Sequence, residues 1–136
     1  MTLDEVRRFI RDNHHAVLAT TRRDGGAQLS PVLVGVDDDG TLVISTRETA
    51  MKTTNVRRHP RAAVCVFTDR FFGPWAQAEG PVAVESLPAA MEGLVRYYRL
   101  VAGEHPDWDD YRAAMVRERR VLLRLRPERA GPTRAG

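Results

Sequence analysis

The sequence has little cysteine and no long apolar run, and both scarcities exclude classes of protein. Its one cysteine, Cys65, cannot form an internal disulfide and lies in an apolar run, where we interpret it as a small buried hydrophobe. No Cys/His spacing typical of zinc is present, so we expect no metal site. No apolar run approaches the roughly 20 residues of a transmembrane helix, and the N-terminus lacks a signal sequence. We therefore predict a cytoplasmic protein that does not contact membranes.

The sequence also lacks a basic run interleaved with aromatic residues. Its net charge of +3 is spread along the chain, so we do not predict nucleic-acid binding. The apolar fraction of 43% is near the globular norm. A chain of 136 residues is most simply one domain. We place that domain at residues 1–126 and predict that the Pro-, Gly- and Arg-rich segment 127–136 is a flexible tail.

Several well-known fingerprints are missing as well. The chain contains no GxGxxG, no GxxxxGK[ST], no GxSxG and no HExxH. The nucleotide-binding and hydrolase folds that carry these motifs therefore lose support.

Lysine occurs once. Of 21 basic residues, only Lys52 is not an arginine. It lies in the hydroxyl-rich stretch Ser45–Pro60, which follows a β-like run and is predicted to form a short helix near Ala50–Arg58. A strand that leads into a helix offers backbone N–H groups and a positive dipole end to an anion, and Lys52 would add a point charge. The alternative is a chance lysine on a solvated helix face.

The order of predicted elements is α-β-β-β-α-β-β-α-α-β. Apolar residues at helical spacing predict helices over 2–13, 50–58, 87–102 and 108–118. Alternating apolar runs bounded by turn residues predict strands over 16–21, 27–36, 41–45, 61–68, 75–85 and 121–125. Hairpin-linked strands with inserted helices disfavour a parallel doubly wound sheet. They favour an antiparallel barrel or strongly curved sheet with peripheral helices.

Two prolines lie inside predicted strands. Because proline cannot donate to a ladder, Ser30-Pro31 predicts an edge or a bulge, and Gly80-Pro81 predicts a bulge or bend. Trp75 and Gln77 point to one face of the fifth strand. They either line a ligand ring or pack against neighbouring strands.

Short motifs along the chain carry a resemblance. They are the hairpin Ala19–Gly25 with Gln28–Val32, the run Thr46–Pro60 with Lys52, Asn55 and Pro60 as fixed points, and Ala78–Gly80. In this order they resemble the pyridoxamine-phosphate-oxidase-like split β-barrel family, and Tyr98–Leu123 resembles its branch that binds the deazaflavin coenzyme F420. The resemblance implies a mainly β (α+β) fold, a six-stranded antiparallel split β-barrel with peripheral helices. It also implies a homodimer with two cofactor sites at the subunit interface.

The same resemblance implies cofactor-binding residues. The tricyclic ring would lie along Ser30, Pro31, Val32 and Leu33, the phosphate would contact Ser45, Thr46, Met51 and Lys52, and the partner subunit would contribute Trp75 and Gln77. Many relatives carry an arginine just before the lysine or two positions before it, where this chain has Met51 and Ala50. This departure disfavours tight FMN binding.

We therefore predict an F420-dependent oxidoreductase that transfers hydride between reduced deazaflavin and a small electron-poor acceptor. The alternatives are a non-catalytic carrier of deazaflavin or flavin, an FMN-dependent enzyme like pyridoxamine-phosphate oxidase, and a structural or regulatory dimer with an empty site. The sequence identifies no catalytic residue, although His15, Arg22, Arg47 and Tyr98 are conceivable proton donors.

Overall fold

The computed structural model of the protein describes residues 1–133, which contain four helices and eight strands. The helices are α1 (Leu3–Asp12), α2 (Met51–Arg58), α3 (Met91–Ala102) and α4 (Trp108–Arg117). The strands are β1 (His15–Thr21), β2 (Ala27–Leu33), β3 (Gly35–Val36), β4 (Leu42–Arg47), β5 (Arg61–Phe67), β6 (Trp75–Glu85), β7 (Arg120–Leu125) and β8 (Arg129–Gly131).

The strands form one antiparallel sheet that curls into an open half-barrel. Seven of them follow the order β2-β1-β5-β6-β7-β4-β3, and β8 pairs with β6 off this path. The predicted mainly β, antiparallel architecture with peripheral helices is therefore confirmed. Pro31 lies in β2, at one end of this order, as expected for a residue that cannot donate to a second neighbour.

Strand β6 bends at Gly80-Pro81, where it changes partner. Residues up to Pro81 pair with β5, and Val82–Glu85 pair with β7. A Cβ atom at Gly80 would lie 1.9 Å from the carbonyl oxygen of Arg126, so only glycine allows this close approach. The bend joins the two halves of the curled sheet.

The predicted count of six strands is not exact. The predicted strand 27–36 is two strands, because the chain leaves β2 at Val34, whose N–H donates to the His14 carbonyl at 2.9 Å. Strand β8 lies inside segment 127–136, which we predicted as a flexible tail, and it pairs with β6. The N-terminal amine of Met1 also donates to the carbonyl oxygen of Pro132 at 2.8 Å. Residues 134–136 of that segment lie outside the described residues.

Side chains on opposite faces of the same strands form two apolar cores. Ile44 and Leu123 point into the half-barrel, where Val6 and Ile10 of α1 cover them. The preceding residues on the same strands, Val43 and Leu122, point outward and are covered by α3 and α4. The outer helices are thus held against β4 and β7, the strands that carry part of the candidate site.

Within residues 1–133, no helix is both long and apolar enough to cross a membrane. The same residues contain no group of three or more His, Cys, Asp or Glu side chains that could hold a metal ion.

Candidate functional site

A cleft of about 520 Å³ opens at the seam of the half-barrel, where the two ends of the sheet come together without pairing. Pro31–Leu33 of β2 forms one side, and Ser45–Arg47 of β4 forms the other. Strand β3 pairs with β4 at Leu42 and Val43, so among residues 1–133 the part of β4 from Ser45 onward pairs only with β7. Unpaired strand edges offer backbone donors and acceptors to a ligand. The cleft is lined by His15, Ala16, Pro31, Val32, Leu33, Ser45, Thr46, Arg47, Ala50, Lys52 and Arg120.

Tyr97 of α3 lies beside both strands that border this seam. Its side chain is buried, and its hydroxyl donates to the Leu33 carbonyl oxygen at 2.9 Å. Burial raises the pKa of Tyr97, while the neighbouring Ser45 backbone and the charge of Arg120 oppose that shift. Tyr97 therefore bonds to the β2 side of the cleft and borders a second cavity together with Ser45 of β4.

Three cationic side chains lie around the β4 side of the cleft. Antiparallel pairing places Arg47 directly opposite Arg120 on the neighbouring strand, and Lys52 lies in the first turn of α2. The pKa of Lys52 is lowered, first by burial and then by the charge of Arg120. Like charges held this close repel each other unless an anion lies among them. This end of the cleft is therefore suited to an anionic group.

One carboxylate partly balances these charges. Glu118 accepts hydrogen bonds from Arg120 Nε at 3.0 Å and Nη2 at 2.8 Å, and it lies 3.5 Å from Arg47 Nη2. The hydrogen bonds from Arg120 lower the pKa of Glu118, burial opposes them, and the charges of Arg120 and Arg47 lower the pKa further. Within the described residues Lys52 has no such carboxylate partner. The cleft therefore keeps an excess of positive charge.

The N-terminus of α2 adds to that excess. Its N-cap residue is Ala50, which offers no side-chain oxygen, and the first turn contains no acidic residue. The free N–H groups and the positive dipole end are thus left uncompensated beside the cleft. Thr53, in the same turn, is fixed by its hydroxyl, which donates to the Arg47 carbonyl at 2.7 Å.

A buried polar contact fixes α2 against the barrel. Asn55 is 1% exposed, and its side-chain amide donates to the Thr20 hydroxyl of β1 at 3.1 Å. Arg58 donates to the Asn55 side-chain oxygen at 3.2 Å and to the Thr21 carbonyl at 2.6 Å. Because all side-chain polar atoms of Asn55 find partners, the helix has one preferred orientation. That orientation directs Lys52 to the cleft.

The structure brings six of the ten sequence-predicted site residues into this cleft. They are Pro31, Val32, Leu33, Ser45, Thr46 and Lys52. Ser30 lies just before the lining run, opposite Leu18 of β1, and Met51 is 59% exposed outside the lining.

Trp75 and Gln77 lie away from the cleft of their own chain. Trp75 borders a cavity of about 390 Å³ with Phe67, Phe71 and Phe72. Gln77 borders a smaller cavity with residues of β8. Both therefore remain predicted contacts from a partner subunit.

Sequence reasoning did not assign five lining residues to the cofactor site: His15, Ala16, Arg47, Ala50 and Arg120. His15 and Arg47 were considered as proton donors, and neither was assigned to the cofactor. Arg120 was missed because its relation to the site depends on pairing between β4 and β7, which are far apart in the chain. A signal was present, since Arg120 directly precedes the apolar run of the last predicted strand.

Comparison with known proteins identifies the fold. The family model described as pyridoxamine 5'-phosphate oxidase matches residues 2–134. A conserved hypothetical protein from Mycobacterium tuberculosis aligns with a TM-score of 0.75 at 23% identity, over 96% of this chain and 82% of that one. An F420 reductase aligns with a TM-score of 0.67 at 20% identity, over 88% of this chain and 90% of that one. A candidate pyridoxamine 5'-phosphate oxidase from Listeria innocua aligns with a TM-score of 0.69 at 16% identity, over 98% of both chains. Since the family model spans nearly the whole sequence, the chain belongs to the pyridoxamine 5'-phosphate oxidase family.

Proposed function

We propose that this protein is an F420-dependent oxidoreductase that acts as a homodimer on a small electron-poor acceptor. The observation that carries the proposal is the division of the cleft into two chemically different ends. One end is bordered by Pro31–Leu33 and the other by Arg47, Lys52 and Arg120. A flat apolar ring joined by a linker to a phosphate matches that division.

The residues at each end fit a flavin-type cofactor. Pro31 and Leu33 offer apolar side chains and an open strand edge to a ring. Lys52, the arginines and the uncapped start of α2 offer donors to a phosphate. When bound, a deazaflavin supplies hydride transfer, and the protein holds it in place and limits access of water. We assign no proton donor, since no acid at the cleft is placed to act on a defined substrate atom.

The reason for preferring deazaflavin to FMN differs from the one based on Ala50 and Met51. The uncharged Ala50 and Met51 argued against FMN, but Arg47 and Arg120 both line the cleft and supply the missing charge. The preference for F420 is supported instead by the resemblance of Tyr98–Leu123 to the F420-binding branch. The fold similarity to an F420 reductase is in line with it.

A homodimer is supported by an uncovered apolar surface on the outside of β1, β2, β5 and β6, which we call the outer sheet face. Strand pairing places its residues on one side of the sheet: Val17, Ala19, Leu29, Pro31, Leu33, Ala63, Cys65, Phe67 and Trp75. Leu29 is 62% exposed, and Phe71 and Phe72 extend the surface with 73% and 93% exposure. Contiguous apolar surface of this kind marks an interface. A second copy is the occupant that we propose, because Pro31 and Leu33 belong to both the face and the cleft.

This arrangement would place the ring end of the cleft at the subunit interface. Trp75 and Gln77 lie on the same outer sheet face and are outside the cleft of their own chain. In a homodimer they could approach the partner's cleft, as the family resemblance implies. A cytoplasmic location also remains part of the proposal.

Titration of the purified protein with F420 and with FMN, followed by fluorescence, tests the cofactor. We expect tighter binding of F420, and tighter binding of FMN would overturn the assignment. Oxidation of pre-reduced F420 in the presence of quinone-like and conjugated acceptors then tests the enzyme against the carrier. Turnover with any acceptor supports the enzyme, whereas tight binding without turnover across the panel favours the carrier.

A further inference from the structure

We propose that Glu118 is a specificity-determining residue that weakens binding of a doubly charged phosphomonoester relative to a singly charged phosphodiester. The inference rests on the proposed function, since it concerns the phosphate of the cofactor. FMN ends in a phosphomonoester, whereas the phosphate of F420 is a diester. Glu118 would thereby favour the second cofactor over the first.

Glu118 lies beside two of the arginines that line the cleft. It is the C-cap residue of α4, directly before the turn that leads into β7, and its side chain is 29% exposed. One carboxylate oxygen accepts both hydrogen bonds from Arg120 and also faces Arg47. These are two of the three cations at the end of the cleft that is suited to an anionic group. A phosphate held by either arginine would therefore lie close to a resident negative charge.

The cationic side chains at this end of the cleft outnumber the carboxylate. Arg47, Lys52 and Arg120 supply three positive charges, and Glu118 removes one, so the site is left with a net charge of about +2. Because the arginines already share a carboxylate, their N–H groups are partly occupied before a ligand arrives. Lys52 has no such partner within residues 1–133. A single negative charge can be held by Lys52 and the α2 N-terminus without displacing Glu118.

The phosphates of FMN and F420 differ in their negative charge. A phosphomonoester has a second pKa near 6 and carries about −2 above pH 7, whereas a diester carries −1 across that range. The additional charge of the monoester is repelled by Glu118. At separations of about 5–8 Å and partial solvent screening, one such repulsion corresponds to roughly a threefold to tenfold change in affinity.

Three variants test the proposal. Glu118→Gln removes the charge and keeps the shape, Glu118→Asp keeps the charge, and Glu92→Gln is the matched control. Glu92 forms a comparable surface pair at 2.8 Å with Arg112, which does not line the cleft, whereas the arginines that pair with Glu118 do. Dissociation constants for FMN and F420 are measured by fluorescence at pH 5.5 and pH 8.

We expect Glu118→Gln to raise FMN affinity relative to F420 affinity roughly threefold to tenfold at pH 8, and by much less at pH 5.5. Glu118→Asp and Glu92→Gln should keep the wild-type ratio at both pH values. A purely structural role would change both affinities together and would not depend on the protonation of the ligand phosphate. An unchanged ratio in Glu118→Gln, or an equal change at both pH values, overturns the inference.

The failure of this inference can be told apart from that of the proposed function. Tighter binding of FMN than of F420 to the wild-type protein would overturn the proposed cofactor, while a charge-dependent ratio in Glu118→Gln would still support the role of Glu118. Riboflavin, which lacks the phosphate, provides an additional check. If it binds as tightly as FMN to the wild-type protein, the phosphate does not occupy this end of the cleft and the inference is overturned.

Discussion

The hydroxyl of Tyr97 and the carbonyl oxygen of Leu33 are joined by a hydrogen bond of 2.9 Å that connects an outer helix to the edge of the barrel. Tyr97 also borders a second cavity together with Ser45, on the other side of the seam. Leu33 and Ser45 both line the candidate cleft. Tyr97 therefore lies beside both strands of the cleft without lining the cleft itself.

Replacement of Tyr97 by Phe should weaken cofactor binding. The change leaves the Leu33 carbonyl oxygen without this donor and should destabilise the fold by about 1–2 kcal/mol. We expect a several-fold larger dissociation constant for F420, because the β2 edge of the cleft loses its hydrogen bond to α3. Tyr111→Phe is the control, since Tyr111 donates a similar bond of 2.7 Å to the Leu94 carbonyl, away from the seam. Equal effects of the two variants on affinity would show that Tyr97 does not position the cleft.

Replacement of Lys52 by Ala should reduce cofactor affinity by about 1–3 kcal/mol, the scale for losing one partner of a charged group. The loss should be smaller for Lys52→Arg, which keeps the charge but not the compact ammonium. Binding of riboflavin, which lacks a phosphate, should be nearly unaffected by either change. Isothermal titration calorimetry with F420 and riboflavin measures the difference. An unchanged F420 affinity in Lys52→Ala would remove this residue from the site.

Replacement of Leu29 by Glu should convert the proposed dimer to monomers. It places a charge on the outer sheet face, which a second copy would have to bury without a partner. Val116→Glu is a matched control, because Val116 is 60% exposed but lies on α4 rather than on that face. Sedimentation velocity over a range of concentrations separates the outcomes. A dimer that persists in Leu29→Glu would place the interface elsewhere.

Acid should destabilise the fold through Asp37. Burial alone would raise the pKa of this carboxyl, but hydrogen bonds from Arg96 and Arg124 lower it from 3.8 to about 2. A lowered folded-state pKa means that the stabilisation is complete above pH 4 and is lost as the pH falls towards 2. The shift corresponds to about 2 kcal/mol.

Urea unfolding of Asp37→Asn at pH 7 and pH 2.5 measures this contribution. We expect a loss of about 2 kcal/mol at pH 7 that becomes much smaller at pH 2.5. Asp4→Asn is the control, because Asp4 is largely exposed in its pair with Arg7 and should change stability very little. The same loss at both pH values would mean that packing, not charge, accounts for the effect.

Local signals in the sequence were sufficient to predict the helices and most strands of the barrel. Thr2 accepts a hydrogen bond from the N–H of Glu5 and so caps α1, and Asp107 caps α4 in the same way. Lys52 could be singled out because it is the one lysine of the chain and lies in a stretch that follows a predicted strand. Each of these features depends on residues within one turn of each other.

The features that were missed depend on distant parts of the chain. The break at Val34 arises because β2 and β3 belong to opposite ends of the sheet order, which an alternating pattern cannot reveal. Strand β8 forms because Arg129–Gly131 meets a free part of β6, so tertiary pairing overrides a composition typical of a tail. Arg120 enters the site through its register with Arg47.

Strand β6 belongs to both halves of the curled sheet, through its bend at Gly80. Neither half can lose its order without exposing an edge of the other, so the domain should unfold in a single cooperative transition. Amide hydrogens of Ala76–Val84 should then exchange with solvent only through global unfolding and should be among the slowest in the molecule. The cleft, by contrast, lies where the sheet has free edges, and its backbone can open locally while this shared strand remains intact.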